Sequence, residues 1–140
     1  MPIENLARDE VVSAEPDTAV AELARSMRDE SVGSVVITND GSPTGIVTDR
    51  DLTTRVLAEE AEPDDLTAED VMSDELCVVP PSAGFYQAAE VMAENGIRRL
   101  PVCDENDELA GIITADDLTE LLADEQQQLA SVIQAQRPSY

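Results

Sequence analysis

Threonine and aspartate stand three residues apart in the same setting twice: Thr48 and Asp51 in GIVTDRDL (45–52), Thr114 and Asp117 in GIITADDL (111–118). A strand that ends in threonine and turns into a helix places a hydroxyl beside the helix start. Backbone N–H groups and partial positive charge there attract phosphate. An aspartate one turn on can accept hydrogen bonds from the vicinal hydroxyls of a ribose. The same residue types also form a capping box, and acid in the first turn suits the helix dipole. Cap and ligand roles are compatible, so both readings stand for each corner. Gly45 and Gly111 either open the strand at a tight turn or let a ligand approach the backbone. Asp49-x-Asp51 and Asp116-Asp117 offer oxygen ligands of the kind that hold Mg²⁺. Adjacent acids in so acidic a chain are mostly solvated surface, so no metal site is assigned.

Other chemistries find little support. The chain has no histidine, the commonest general base and metal ligand. No Ser, Cys or Thr nucleophile has a recognisable base partner, and no G-x-x-x-x-G-K phosphate loop is present. Catalysis is not expected. Cys77 and Cys103 lie in apolar runs and read as reduced core cysteines.

The elements that position the two corners are themselves duplicated. Pro16 and Pro81 each follow a short β-rich run, EVVSA and LCVV. Helices are expected from Asp17 (DTAVAELARSM) and Ser82 (SAGFYQAAEVM), with those residues as caps. Val20, Leu23, Ala24 and Met27 match Phe85, Ala88, Ala89 and Met92 at helical spacing. Strands follow at SVVI (34–37) and RLPVC (99–103). Turns at TNDGSPT (38–44) and DENDEL (104–109) then return the chain as GIVT and GIIT, the second turn one residue longer. Each copy closes with a helix, around Asp49 and Ala115. The acidic join, 58–73, can hold a short turn capped by Thr67 with Asp70 and ending near Met72. After Asp117 one long helix runs to Pro138, with Leu118, Leu121, Leu122, Leu129, Val132 and Ile133 as an apolar stripe.

Composition bounds the class. Apolar residues make up 42% of 140 residues, with only three aromatics, so the core must be aliphatic. Two halves of this size would be marginal alone and should lean on each other. The net charge is −23, and all eight basic residues are arginine. Such repulsion works against compaction in ordinary buffer and is screened near 1 M salt, where the Debye length is about 3 Å. The balance suggests a cytoplasmic protein of a salt-accumulating halophile. It also argues against nucleic-acid binding, which needs clustered bases. No secretory signal or membrane-spanning apolar run is visible.

With its two Gly-apolar-x-Thr-x-x-Asp signatures, the RRLPV run, the Met ending each first helix and DVMS before the second copy, the chain resembles a tandem pair of CBS domains, a Bateman module. The resemblance covers about residues 6–123. It implies an α/β fold of two β-α-β-β-α units, 6–60 and 74–123, packed about a pseudo-twofold axis. Residues 61–73 form a linker and 124–140 a C-terminal helical extension. It implies two clefts that hold adenosine compounds: AMP, ADP, ATP or S-adenosylmethionine. One cleft would combine Thr48 and Asp51 with Ile97, Arg98 and Arg99, and Arg50 would add a phosphate contact. The other would combine Thr114 and Asp117 with Val32, Gly33 and Ser34. Val32 and Ile97 would flank adenine. Arginine binds phosphate bidentately, so the first cleft should prefer phosphorylated adenosine. The second, lacking an arginine pair, would take a less charged ligand or none. The module would need no cofactor, would signal to a protein effector, and would form a homodimer. The alternative is a ligand-free interaction scaffold.

Overall fold

The computed structural model describes Ile3, Ala7, Arg8 and residues 10–73 and 75–138. In chain order the elements are β1 (Ser13–Ala14), α1 (Val20–Glu30), β2 (Ser34–Asn39), β3 (Ser42–Thr48) and α2 (Asp49–Leu52). Then come α3 (Ala68–Val71), α4 (Phe85–Asn95), β4 (Arg99–Cys103), β5 (Leu109–Thr114) and α5 (Ala115–Gln136). A wider helical turn, Thr53–Leu57, continues α2.

The duplication holds through the register. β2 pairs antiparallel with β3, placing Ile37 opposite Gly45, and β4 pairs with β5, placing Val102 opposite Gly111. Both ladders shift immediately afterwards by the same single residue, and the extra residue of the second turn lies in the loop between Cys103 and Leu109. β1 runs parallel to β2, and Val79 forms the matching parallel bridge to Val102. The first turn is tight because Asp40 (φ 53°) and Gly41 (φ 85°) both adopt left-handed backbone, the requirement of a two-residue hairpin.

The expected helix starts need correction. Asp17 and Ser82 do not cap α1 and α4. The caps are Ala19 and Gly84, without a side-chain hydrogen bond. The prolines instead open tight turns, closed by Thr18 N–H to Glu15 O (3.1 Å) and Ala83 N–H to Pro80 O (3.0 Å). Proline favours the second position of such turns, and polar residues follow it well. At their far ends both helices stop at a left-handed residue, Ser31 (φ 55°) and Gly96 (φ 63°), a common helix stop.

Two aliphatic clusters form the core, one per copy, and each borrows from outside its own repeat. Val20, Leu23, Val35, Ile37 and Val47 pack with Ala68 and Val71 of the acidic join. Val79, Met92, Leu100, Val102 and Ile113 pack with Ile3 from the start of the chain. The segment entering each copy therefore completes the other copy's sheet. Arg8 bridges Ile112, and Ser73 bridges Ile46. This exchange is the physical form of two small halves leaning on each other.

The exchange also explains the signature glycines, whose expected roles change. Gly45 and Gly111 lie within β3 and β5, and it is protein backbone that approaches them. A Cβ at Gly45 would stand 2.9 Å from Ser73 O and 2.6 Å from Met72 Sδ; one at Gly111 would stand 2.8 Å from Arg8 O. Gly45→Ala and Gly111→Ala should each destabilise by about 1–3 kcal/mol, the usual cost of overpacking. Calorimetry should show the melting point falling by roughly 4–12 °C.

Candidate functional site

Both corners form as capping boxes. Thr48 N–H donates to Asp51 Oδ2 (2.8 Å), and Asp51 N–H donates to Thr48 Oγ1 (3.2 Å). The second corner repeats this at 2.9 and 3.2 Å with Thr114 and Asp117. The Thr67 corner of the join is closed similarly, Thr67 N–H donating to Asp70 Oδ2 at 2.8 Å. In the Thr48 and Thr114 caps the threonine oxygen accepts, which leaves its own O–H free to donate. Each aspartate commits Oδ2 to the cap and keeps Oδ1.

Around the first corner lies a cavity of about 420 Å³, lined by Thr48, Arg50 and Asp51 from one copy and Ile97, Arg98 and Arg99 from the other. That volume falls in the roughly 300–1,000 Å³ range of small-molecule sites. Ile46, Leu76 and Cys77 add an apolar wall that sequence reasoning did not name, and Ser73 and Glu75 add polar groups. Cys77 is thus half-buried, packing against the second core cluster while also lining the cavity. Cys103 is buried, and neither cysteine is disulfide-bonded. Burial first, then Asp107 and Asp104, raises the Cys103 thiol pKa.

The helix-start attraction for phosphate is weaker than expected. The first three N–H groups of α2 are all occupied: Asp49 by Gly33 O (3.0 Å), Arg50 by Asp49 Oδ1 (2.9 Å), and Asp51 by Thr48 Oγ1. Capacity for an anion rests instead on the Thr48 hydroxyl and the arginines. Arg98 donates to Asp116 Oδ1 at 3.1 Å, with both side chains more than two-thirds exposed. Such surface pairs contribute about 0–1 kcal/mol, so Arg98 can be recruited. The Arg99 guanidinium lies over Gly33, where a Cβ would meet its Nη2 at 2.7 Å.

Around the second corner, Val32, Gly33, Ser34 and Thr114 line a smaller cavity of about 230 Å³ together with Arg8 and Arg99. Two expectations change here. Arg98 and Arg99 are not exclusive to the first cleft, since both also border a recess of about 110 Å³ beside Thr114 and Asp116. And Asp117 is buried, its Oδ1 accepting from Arg8 Nη2 at 3.1 Å. Arg8 was not foreseen: no local pattern marks it. Among the described residues no group of three or more His, Cys, Asp or Glu side chains is arranged to hold a metal. No helix among them is long and apolar enough to cross a membrane.

Comparison with known proteins agrees with this architecture. The family profile described as CBS domain matches residues 3–58 and again 68–124. The uncharacterized protein MK0525 of Methanopyrus kandleri is 38% identical over 117 residues, 83% of this chain, and the chain spans 60% of that relative's length. The CBS domain-containing protein YhcV of Bacillus subtilis is 34% identical over 109 residues, covering 78% of this chain and 76% of YhcV. Among solved structures, the CBS domain pair of MJ0100, in complex with 5′-methylthioadenosine and S-adenosyl-L-methionine, superposes with a TM-score of 0.81 at 20% identity, covering 89% of this chain and 98% of that one. The CBS domain protein PAE2072 from Pyrobaculum aerophilum, complexed with AMP, gives 0.77 at 26% identity over 84% and 89%. Two matched units in sequence, each with its own hairpin, capped corner and core, identify the chain as a member of the CBS domain family, built as a tandem pair.

Proposed function

We propose that the chain is a regulatory, non-catalytic module that binds a phosphorylated adenosine, AMP being the simplest, in the Thr48/Asp51 cleft. One observation carries this reading: the Thr48 hydroxyl, the Asp51 carboxylate and three arginines from both copies converge on one cavity of suitable size, where the arginines offset the further carboxylates of Asp49 and Glu75. Ile97 and Leu76 supply apolar surface for adenine, Asp51 Oδ1 accepts from the ribose hydroxyls, and Thr48 Oγ1 with Arg98 and Arg99 meets the phosphate. The AMP complex of PAE2072 adds support from a relative of the same fold. Because the cleft draws on both copies, a ligand held there favours the arrangement that grips it better, and it shifts the equilibrium only by that difference in affinity. Calorimetric titration in about 1 M KCl with AMP, ADP, ATP and S-adenosylmethionine tests this. Heat with the phosphorylated nucleosides is expected; silence with all four would favour an empty interaction scaffold.

Occupancy has to be read out by a contact, and α5 offers one. Beyond Leu121 it leaves the domain, with Leu129, Val132 and Ile133 each about 60% exposed. Residues 126–136 carry no charge in a chain of net charge −23. Here two anionic copies can approach without like-charge repulsion, and we assign this stripe to self-association. Replacing both Leu129 and Ile133 by Asp should reduce the mass seen by light scattering from two chains to one. An unchanged mass would place the contact elsewhere.

A further inference from the structure

We propose that Arg8 occupies the ribose position of the second cleft and so makes this tandem pair a one-nucleotide sensor; the inference rests on the nucleotide reading above. The two clefts are built on the same plan and can be compared position by position. Arg8 bridges Ile112, the residue after Gly111, and Ser73 bridges Ile46, the residue after Gly45. A short Ser73 lines the first cavity where the long Arg8 lines the second.

The carboxylates differ accordingly. Each has Oδ2 committed to its cap, so Oδ1 is what remains for a sugar. Near Asp51 Oδ1 stands Arg55 Nε at 3.9 Å, beyond hydrogen-bond distance. Arg55 is held elsewhere, its Nη1 donating to Val71 O (2.9 Å) and Met72 O (3.2 Å). Asp117 Oδ1 instead takes the Arg8 guanidinium at 3.1 Å. Side-chain exposure is 17% for Asp51 and 9% for Asp117. Asp51 lines the 420 Å³ cavity, while Asp117 lines neither recess of the second cleft. At about 230 Å³ the larger recess is also below the usual range for small-molecule sites.

Displacement is unfavourable for a sugar. Either partner would form a charge-assisted hydrogen bond with the ionised carboxylate. Arg8 adds the attraction of opposite charges to its hydrogen bond with Asp117 and is already tethered. Its backbone is fixed independently, through Arg8 N–H to Ile112 O (2.9 Å) and Ile112 N–H to Arg8 O (3.0 Å). The Arg8 side chain is 65% exposed, so removing it opens a solvent-filled space rather than a core void, and the strand pairing persists.

The test is calorimetric titration of AMP into the full chain in about 1 M KCl. The wild type should show one site per chain. Arg8→Ser, which installs the residue of the first cleft, should show two, and so should Arg8→Gln. Adding Asp117→Ala to Arg8→Ser should restore one. Two equal sites in the wild type, or one site in both Arg8 variants, overturns the proposal and leaves nucleotide sensing intact. No heat from wild type or variants overturns the nucleotide reading and this proposal with it.

Discussion

Asp51→Ala should weaken AMP binding about a hundredfold, while Asp117→Ala leaves it within about threefold. Hydrogen bonds to a charged group are each worth about 1.5–3 kcal/mol. Losing the acceptor for two vicinal ribose hydroxyls therefore removes about 3 kcal/mol, or about two decades in Kd. Asp117 has no such vacancy to lose, because its cap and Arg8 already use both oxygens. Stability separates the two effects. Either substitution removes half of a capping box, about 1 kcal/mol, and Asp117→Ala also removes the ion pair with Arg8. Both variants should therefore melt lower, Asp117→Ala at least as much as Asp51→Ala, while affinity falls for Asp51→Ala alone. Titration calorimetry beside thermal unfolding reads both. Equal affinity losses would mean that the first corner has no special role. Loss of stability with no affinity to lose would reduce both corners to helix caps.

Transfer from about 1 M to about 0.1 M KCl should lower the melting point by about 10 °C or more, as the Debye length grows from about 3 Å to about 10 Å. The net charge of −23 is spread over a chain with eight arginines and no lysine to offset it. Among the described residues only four ion pairs form, and two of them have both partners largely exposed. One of these, Arg28 with Asp29, moves both groups in the expected sense, the guanidinium pKa up and the carboxylate down, each first through their shared hydrogen bond. It lies on the open surface and does little against the global repulsion. A loss of about 3 kcal/mol gives the stated shift for a chain of this size. Scanning calorimetry across a KCl series checks it. A flat melting point would remove the halophile reading of the composition.

Much of the molecule is legible in its amino-acid sequence. Repetition with alternating apolar runs gave both hairpins, and the change of offset between copies reappears as the longer turn before Leu109. Threonine followed by aspartate at the third position specified both capped corners, because this is local chemistry that needs no tertiary partner. The long α5 was legible from uninterrupted helix formers up to Pro138. What failed was chemistry with two uses. Asp17 and Ser82 suit a cap and a turn equally, and a preceding proline decided for the turn. Gly45 and Gly111 suit a strained turn and a crowded strand equally, and only the exchanged segments show which applies. Contacts across the chain left no local trace. Arg8 meets Asp117 over a separation of 109 residues. Gly33 O closes the start of α2 from across the sheet. Ile3, Ala68 and Val71 sit in stretches too short and too acidic to announce burial, yet they complete the two cores.

The most direct test of the central claim is a crystal structure of the chain grown with AMP in about 1 M KCl. The account predicts one adenosine in the cavity between the copies, ribose hydroxyls on Asp51 Oδ1, phosphate against Thr48 Oγ1 and the Arg98–Arg99 pair, and Arg8 still on Asp117. AMP found only beside Thr114, or at a surface away from both corners with the Thr48 cavity empty, would contradict it.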